Sequence, residues 1–396
     1  AIALSDNILK ACNENTSILD ALSAYELERK DLISRLQRTA LVSLGWYENA
    51  RRYNVLSPKQ YAFNFLSRNK SVTYENLALR DPDYGADIDR WYTELVRKDL
   101  GFDLPIDKPA PPMFTPYKVG NLKLQNRVVV APMCQYSAND GTPTDWQLVH
   151  LGNFAKGGAG LVITEMTNVS PEGRISHNCT GMYKNEHITA WKRVTDFVHE
   201  NSNSKICVQL GHAGRKASCN VGWVDRGSPL KDDAWTILAP SPIPFTPKSQ
   251  VPREMSREDM DKVRDDYVRS ASMAAEAGFD MIEFHGAHGY LLSSFISPVS
   301  NIRTDEYGGS LQNRMKFPVE VLRAVREVWP IDKPISVRIS AEDWVGERGN
   351  SGNDAVEIAK LFYDNGADII HVSAGQTSFE QKPIYGRMFQ AHLSEQ

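Results

Sequence analysis

Two histidines three residues apart, His285 and His288, follow the apolar run Met281-Ile-Glu-Phe284, and Tyr290 comes two residues later. Imidazoles at that spacing just past a strand can aim two N–H donors at one carbonyl oxygen. Polarising that carbonyl turns the β-carbon of a conjugated alkene into a hydride acceptor, and a phenol such as Tyr290 can protonate the α-carbon. Zinc is the competing use of the pair, with Glu283 as base, but it would want a third ligand, so no metal is expected. Packing histidines are the bland alternative. Arg338 stands alone in the otherwise apolar Ile335-Ser-Val-Arg-Ile-Ser340. A guanidinium fixed there stabilises negative charge in a dry pocket, unless a buried salt bridge to a neighbouring strand accounts for it. Cys134 alone is weak evidence, since a lone cysteine is usually a small buried hydrophobe.

These residues need a scaffold that brings strand ends together. After Met113 short β-branched apolar runs alternate with longer helical patterns, the rhythm of βα units around a parallel sheet. The expected strands are Arg127 to Ala131, Leu161 to Glu165, Lys205 to Gly211, Asp280 to Phe284, Pro334 to Ser340 and Asp368 to Ser373. Helices are expected at Trp146 to Lys156, Glu186 to Glu200, Ser256 to Ala277, Leu311 to Val328 and Asn353 to Asn365, with Gly278 and Gly366 ending two of them. Tyr117 to Leu124 reads as a hairpin around Gly120-Asn121, and the Pro- and Ser-rich stretch Ala213 to Met255 as a lid. The fold class is α/β, a (β/α)8 TIM barrel with about six of its eight units here, and in such barrels the site lies at the C-terminal ends of the strands.

Upstream, Ile18, Leu19, Leu22, Tyr25, Leu32, Leu36, Ala40 and Leu44 recur at helical spacing, and Pro58 opens a second helix. The segment then turns polar and ends in the proline-rich Asp103 to Pro112, an extended spacer. The expected organisation is a helical segment 1–102, a linker 103–112 and a barrel 113–396. All ten methionines lie at or after Met113 and the chain opens with Ala1, which reads as the cut edge of a longer protein. Of 396 residues 45 are basic and 49 acidic, so no broad cationic surface exists to hold nucleic acid or an anionic membrane. Five scattered cysteines without a CxxC pair suit reduced thiols, and with no apolar run near 18 residues the expected location is the cytoplasm.

The residues after the strands carry a resemblance. Ala131-Pro-Met-Cys-Gln-Tyr136, Gln209-Leu-Gly-His-Ala-Gly-Arg-Lys216, His285-Gly-Ala-His-Gly-Tyr290 and Ser297-Pro-Val-Ser-Asn-Ile-Arg-Thr-Asp-Glu-Tyr-Gly-Gly-Ser310 resemble the old yellow enzyme family, in its subgroup with a cysteine after the first strand. The resemblance implies an FMN-dependent enzyme that passes hydride from NAD(P)H to an alkene conjugated with a carbonyl. It implies that Ala131, Pro132, Met133, Cys134 and Met166 line the flavin and that Gln209 bonds its pyrimidine edge. Arg338 would face the part of the ring that turns anionic on reduction. His285, His288 and Tyr136 would hold the substrate, with Tyr290 as proton donor. The charges of Arg303 to Ser310 read as a loop clamp and helix cap.

Val372-Ser-Ala-Gly-Gln-Thr377 and Pro383 to Gln390 look like the reductase half of the bifunctional 2-aminobenzoyl-CoA monooxygenase/reductases and salicylyl-CoA 5-hydroxylases. Ala1-Ile-Ala-Leu4 and Leu22-Ser-Ala-Tyr-Glu-Leu-Glu-Arg29 resemble the end of their FAD monooxygenase half, whose GxGxxG is absent, so FAD is expected only outside this chain. The resemblance implies an aromatic acyl-CoA partner and allows a homo-oligomer. It also places the FMN phosphate on loops after strands seven and eight. The competing readings are a stand-alone enone reductase with an unrelated helical extension and a non-catalytic piece. A six-stranded barrel is expected to be aggregation-prone on its own.

Overall fold

The computed structural model describes every residue except Arg226, Arg387 and Gln396, and divides into two compact units, Ala1–Pro112 and Met113–Gln396. The motif at 383–390 is therefore described apart from Arg387, which lies outside the described residues.

The first unit is helical: α1 (Ile2–Glu14), α2 (Ile18–Glu48), α3 (Pro58–Ser67), α4 (Tyr74–Arg80) and α5 (Pro82–Leu100). Local chemistry sets the boundaries. The Ser17 and Ser57 side chains accept from Asp20 N and Gln60 N, Pro58 fills the first turn of α3, and Thr73 and Asn76 form a reciprocal cap on α4. Two helices occupy the stretch read as merely polar. The inward positions of α5 are Gly85, Ile88, Thr93 and Val96, too small and mixed to register as an apolar stripe. The unit's packed centre is Trp46, stacked on Tyr53 at 5.1 Å and edge-on to Tyr61 and Phe65. The long stripe on α2 is different: Leu19, Leu32, Leu36 and Leu44 are exposed, and the buried residues of this 31-residue helix are Ala21 and Trp46, near its two ends.

The second unit is built on a parallel sheet. An antiparallel hairpin, β1 (Tyr117–Val119) with β2 (Leu122–Leu124), turns through Gly120 at φ 54°. Then follow β3 (Val129–Val130), α6 (Asp145–Lys156), β4 (Leu161–Asn168), α7 (Asn185–Asn201), β5 (Lys205–Gly211), a one-turn α8 (Gly222–Asp225), and the two-residue strands β6 (Leu238–Ala239) and β7 (Arg253–Glu254). The chain continues through α9 (Arg257–Glu276), β8 (Met281–Gly286), α10 (Leu291–Ile296), α11 (Leu311–Val328), β9 (Ile335–Ser340), α12 (Gly352–Tyr363), β10 (Ile369–Ser373) and α13 (Ala391–Ser394). The six-stranded sheet has the order β10-β9-β8-β5-β4-β3, with every pair parallel. Both edge strands stay unpaired among the described residues, and Val129 and Ile369 are exposed there. The curled parallel sheet with helices on its outer face is the (β/α)8 type of fold.

Alternation sorts the strand residues onto two faces. The outward side chains, among them Val162, Ile206, Val208, Ile282, Phe284, Val337 and Ile339, join Trp191, Tyr267, Phe279 and Phe317 from the helices in the main core. The inward ones form layers. At the bottom Leu161, Ile163, Cys207 and Met281 pack against Val119 and Leu124, so the hairpin plugs that end. Above them the inner face turns polar, which is where the site begins.

Phe279 ends the α9–β8 turn fully buried, edge-on to Trp191 at 5.6 Å, behind Gly278 at φ 88°. Phe279→Ala is expected to lose about 3–5 kcal/mol of unfolding free energy in urea titration; a loss under about 1 kcal/mol would show that the helix-side core does not carry the unit.

Candidate active site

The second inward layer is a hydrogen-bonded network. Gln209 Nε2 donates to Glu283 Oε1 at 2.8 Å, and the other carboxylate oxygen accepts from Ser336 Oγ and His371 Nδ1, each at 2.9 Å. Register explains the meeting: Gln209 pairs with Glu283 and Glu283 with Ser336, so β5, β8 and β9 bring side chains to one height and β10 adds His371. Glu283 is fully buried; burial works to raise its pKa, but His371 and Arg338 outweigh it and hold the carboxyl below its usual value.

Arg338 lies above this layer, its Cα level with His285 and His371. Its Nε is buried and has no hydrogen-bond partner, and no ion pair to it forms among the described residues. The salt-bridge alternative is not what this residue does. Burial depresses the guanidinium's pKa, opposed chiefly by the charge of Glu283.

The histidine ring centroids are 5.1 Å apart and nearly perpendicular. His285 Nδ1 accepts from Ala287 N at 3.3 Å, which leaves the proton of the neutral ring on Nε2. His288 is anchored at Nε2, 2.6 Å from Ser373 Oγ, while its backbone N donates to Ser340 Oγ and its φ is 62°. Ser373 Oγ also accepts from Gln390 Nε2, so this hydroxyl ties His288 to the chain beyond β10. Burial, with the cationic side chains nearby, keeps both rings far below the usual histidine pKa. The Tyr290 ring is edge-on to His285 at 4.7 Å, and burial raises its phenol well above the ordinary value. A neutral donor pair thus stands beside a protonated phenol.

The wall opposite is apolar. Met166, Ile175, Cys179, Ala213, Ala217, Cys219 and Ile237 form a cluster on which Cys134, Tyr136, Trp235 and Tyr290 pack. Met166 follows a register shift in β4 and lies against Gly211, where a Cβ would come 2.5 Å from Met166 Cγ; any larger residue would close this space. Ala131 and Met133 are exposed and Pro132 half-buried, beyond the short β3. Cys134 is held as the neutral thiol by burial. Tyr136 has φ 51° and meets Trp223 of α8 edge-on at 5.9 Å. The sequence reading missed Trp223, whose only signal is an aromatic in a polar loop. It also missed Lys216, whose Nζ donates to the His288 carbonyl at 2.8 Å and to that of Gln376. Ser373 and His371 were invisible without the β9–β10 register.

A half-buried cation with its Nε unpaired, a glutamine tied at its amide end and an apolar wall lie together at the strand ends. The family model described as "NADH:flavin oxidoreductase / NADH oxidase family" matches residues 112–388. This chain belongs to that family. An NADPH dehydrogenase from Bacillus cytotoxicus is 41% identical over 288 residues, 72% of this chain and 78% of that protein. Morphinone reductase in complex with tetrahydroNAD superposes with a TM-score of 0.59 at 28% identity, covering 72% of this chain and 78% of that one. A 2-naphthoyl-CoA reductase in complex with 2-naphthoyl-CoA gives 0.60 at 25% identity; 67% of this chain is covered but only 41% of that larger one. The family member described here is a flavin-dependent oxidoreductase whose cofactors are FMN and a nicotinamide.

Four buried histidines, His187, His212, His285 and His288, have pKa values depressed by burial, the first two to about 4. In the unfolded chain each titrates near about 6.5. Well above that pH both states are neutral and nothing is lost. Below it the unfolded chain binds protons the folded one refuses, and each such histidine removes about 1.4 kcal/mol per pH unit. Urea unfolding is expected to lose about 1–2 kcal/mol from pH 7.5 to 6.5 and several more by pH 5.5; equal stability throughout would mean the rings take up protons in the fold.

Proposed function

We propose that this chain reduces an alkene or a dearomatised ring conjugated with a carbonyl, and that in the full-length bifunctional protein the substrate is an aromatic acyl-CoA. When bound, FMN supplies hydride transfer from the nicotinamide to the substrate β-carbon. The protein's own residues do the rest. Ala131, Pro132, Met133, Cys134 and Met166 line the ring, Gln209 takes its polar edge, and Arg338 offsets the negative charge that reduction leaves in a dry pocket. His285 Nε2–H and the His288 imidazole donate to the substrate carbonyl. Tyr290 gives its proton to the α-carbon, and Tyr136 covers the substrate.

The observation that carries this reading is the protonation pattern. Two neutral imidazoles, the His285 ring carrying its proton on Nε2, adjoin a phenol that burial keeps protonated, a set suited to polarising a carbonyl and delivering one proton. The acyl-CoA assignment draws on the 2-naphthoyl-CoA reductase likeness and on the motif at Val372 to Thr377. The helical unit Ala1–Pro112 is read as the end of the monooxygenase half.

Tyr290→Phe is expected to slow alkene reduction at least about a hundredfold while flavin reduction by nicotinamide changes less than threefold, because only the second half-reaction consumes the phenol proton. Stopped-flow traces of the two half-reactions decide it; equal loss in both would remove Tyr290 from the donor role.

A further inference from the structure

Glu283 does not reach the reacting groups, yet it binds side chains from β5, β9 and β10 and lies close enough to Arg338 to oppose the depression of its pKa. An ionised carboxylate can only accept, which dictates the orientation of everything around it. Gln209 must turn its NH2 toward Glu283, and its side-chain carbonyl oxygen then receives no hydrogen bond from any described residue. Backbone bonding does not impose this: the Gln209 main chain sits in the β4–β5–β8 ladder, with its N donating to Thr164 Oγ1 at 3.1 Å, and leaves the side-chain amide free to turn. An amide rotated the other way would present N–H donors instead of an acceptor.

We propose that Glu283 is a positioning residue for the flavin: it fixes Gln209 as an acceptor for a ring N–H, and its charge, set against Arg338, limits how strongly the site favours the reduced, anionic ring. The proposal rests on the assignment of Gln209 and Arg338 to FMN given above. It makes a carboxylate that touches neither flavin nor substrate a determinant of the cofactor's potential. With His371 and Ser336 beside the Gln209 amide, three hydrogen bonds hold the carboxylate in the interior.

The test uses the whole chain with FMN as ligand. Fluorescence titration gives the dissociation constant of oxidised FMN, and a reductive titration against a reference dye gives the potential of the bound flavin. Glu283→Gln removes the charge and frees the Gln209 amide to flip. It should weaken oxidised FMN and raise the ratio of affinities for reduced over oxidised FMN at least tenfold, equivalent to about 30 mV for a two-electron couple. Glu283→Asp keeps the charge but withdraws it from Gln209. It should weaken oxidised FMN about tenfold with the ratio within threefold of wild type, and it serves alone if the Gln variant does not fold. A carboxylate that only stabilised the fold would lower melting temperature and flavin content and leave the potential of the bound fraction unmoved, which would overturn the proposal. FMN affinity unchanged in both Gln209→Ala and Arg338→Met would overturn the underlying assignment as well.

Discussion

A guanidinium held inside a curled parallel sheet with its Nε hydrogen unpaired constrains the rest of the site. Leaving such a group buried without a partner costs free energy that a protein ordinarily avoids by pairing it. Here the nearest carboxylate, Glu283, is spent on Gln209, Ser336 and His371. Arg338 is therefore left without an anionic partner among the described residues, and under the proposed function the reduced flavin is that partner.

Around that constraint the inner face is graded along the strands. The hairpin and the Leu161, Ile163, Cys207 and Met281 layer keep water out from below. Above it lies the hydrogen-bonded Glu283 layer, and above that the strand ends that carry His285, His288 and Tyr290. Low dielectric links the levels. The burial that surrounds Arg338 also keeps His285 and His288 neutral and Tyr290 protonated, so one cause sets three protonation states.

Much of this was legible in the sequence. Lys205–Gly211 and Leu311–Val328 fall where apolar periodicity puts them, because both are covered along one whole face. The strand-end residues were legible for a related reason: a polar side chain directly after an apolar run is at the barrel mouth whatever the loops do. The first strand was overread, five residues expected against Val129–Val130, since an edge strand has a partner on one side only. What stayed hidden was pairing across distance. His371 and Glu283 are 88 residues apart, His288 and Ser373 are 85 apart, and both pairs depend on a register that no local pattern encodes. The α2 stripe was legible as a helix, but which part of it is covered was not.

The claim that the unpaired cation of Arg338 is the receptor for negative charge on the flavin is tested most directly by the potential of FMN bound to Arg338→Met. The account predicts at least a tenfold fall in the ratio of affinities for reduced over oxidised FMN, about 30 mV toward lower potential and opposite in sign to the loss of Glu283. A bound flavin whose potential is the same with methionine at that position would contradict it.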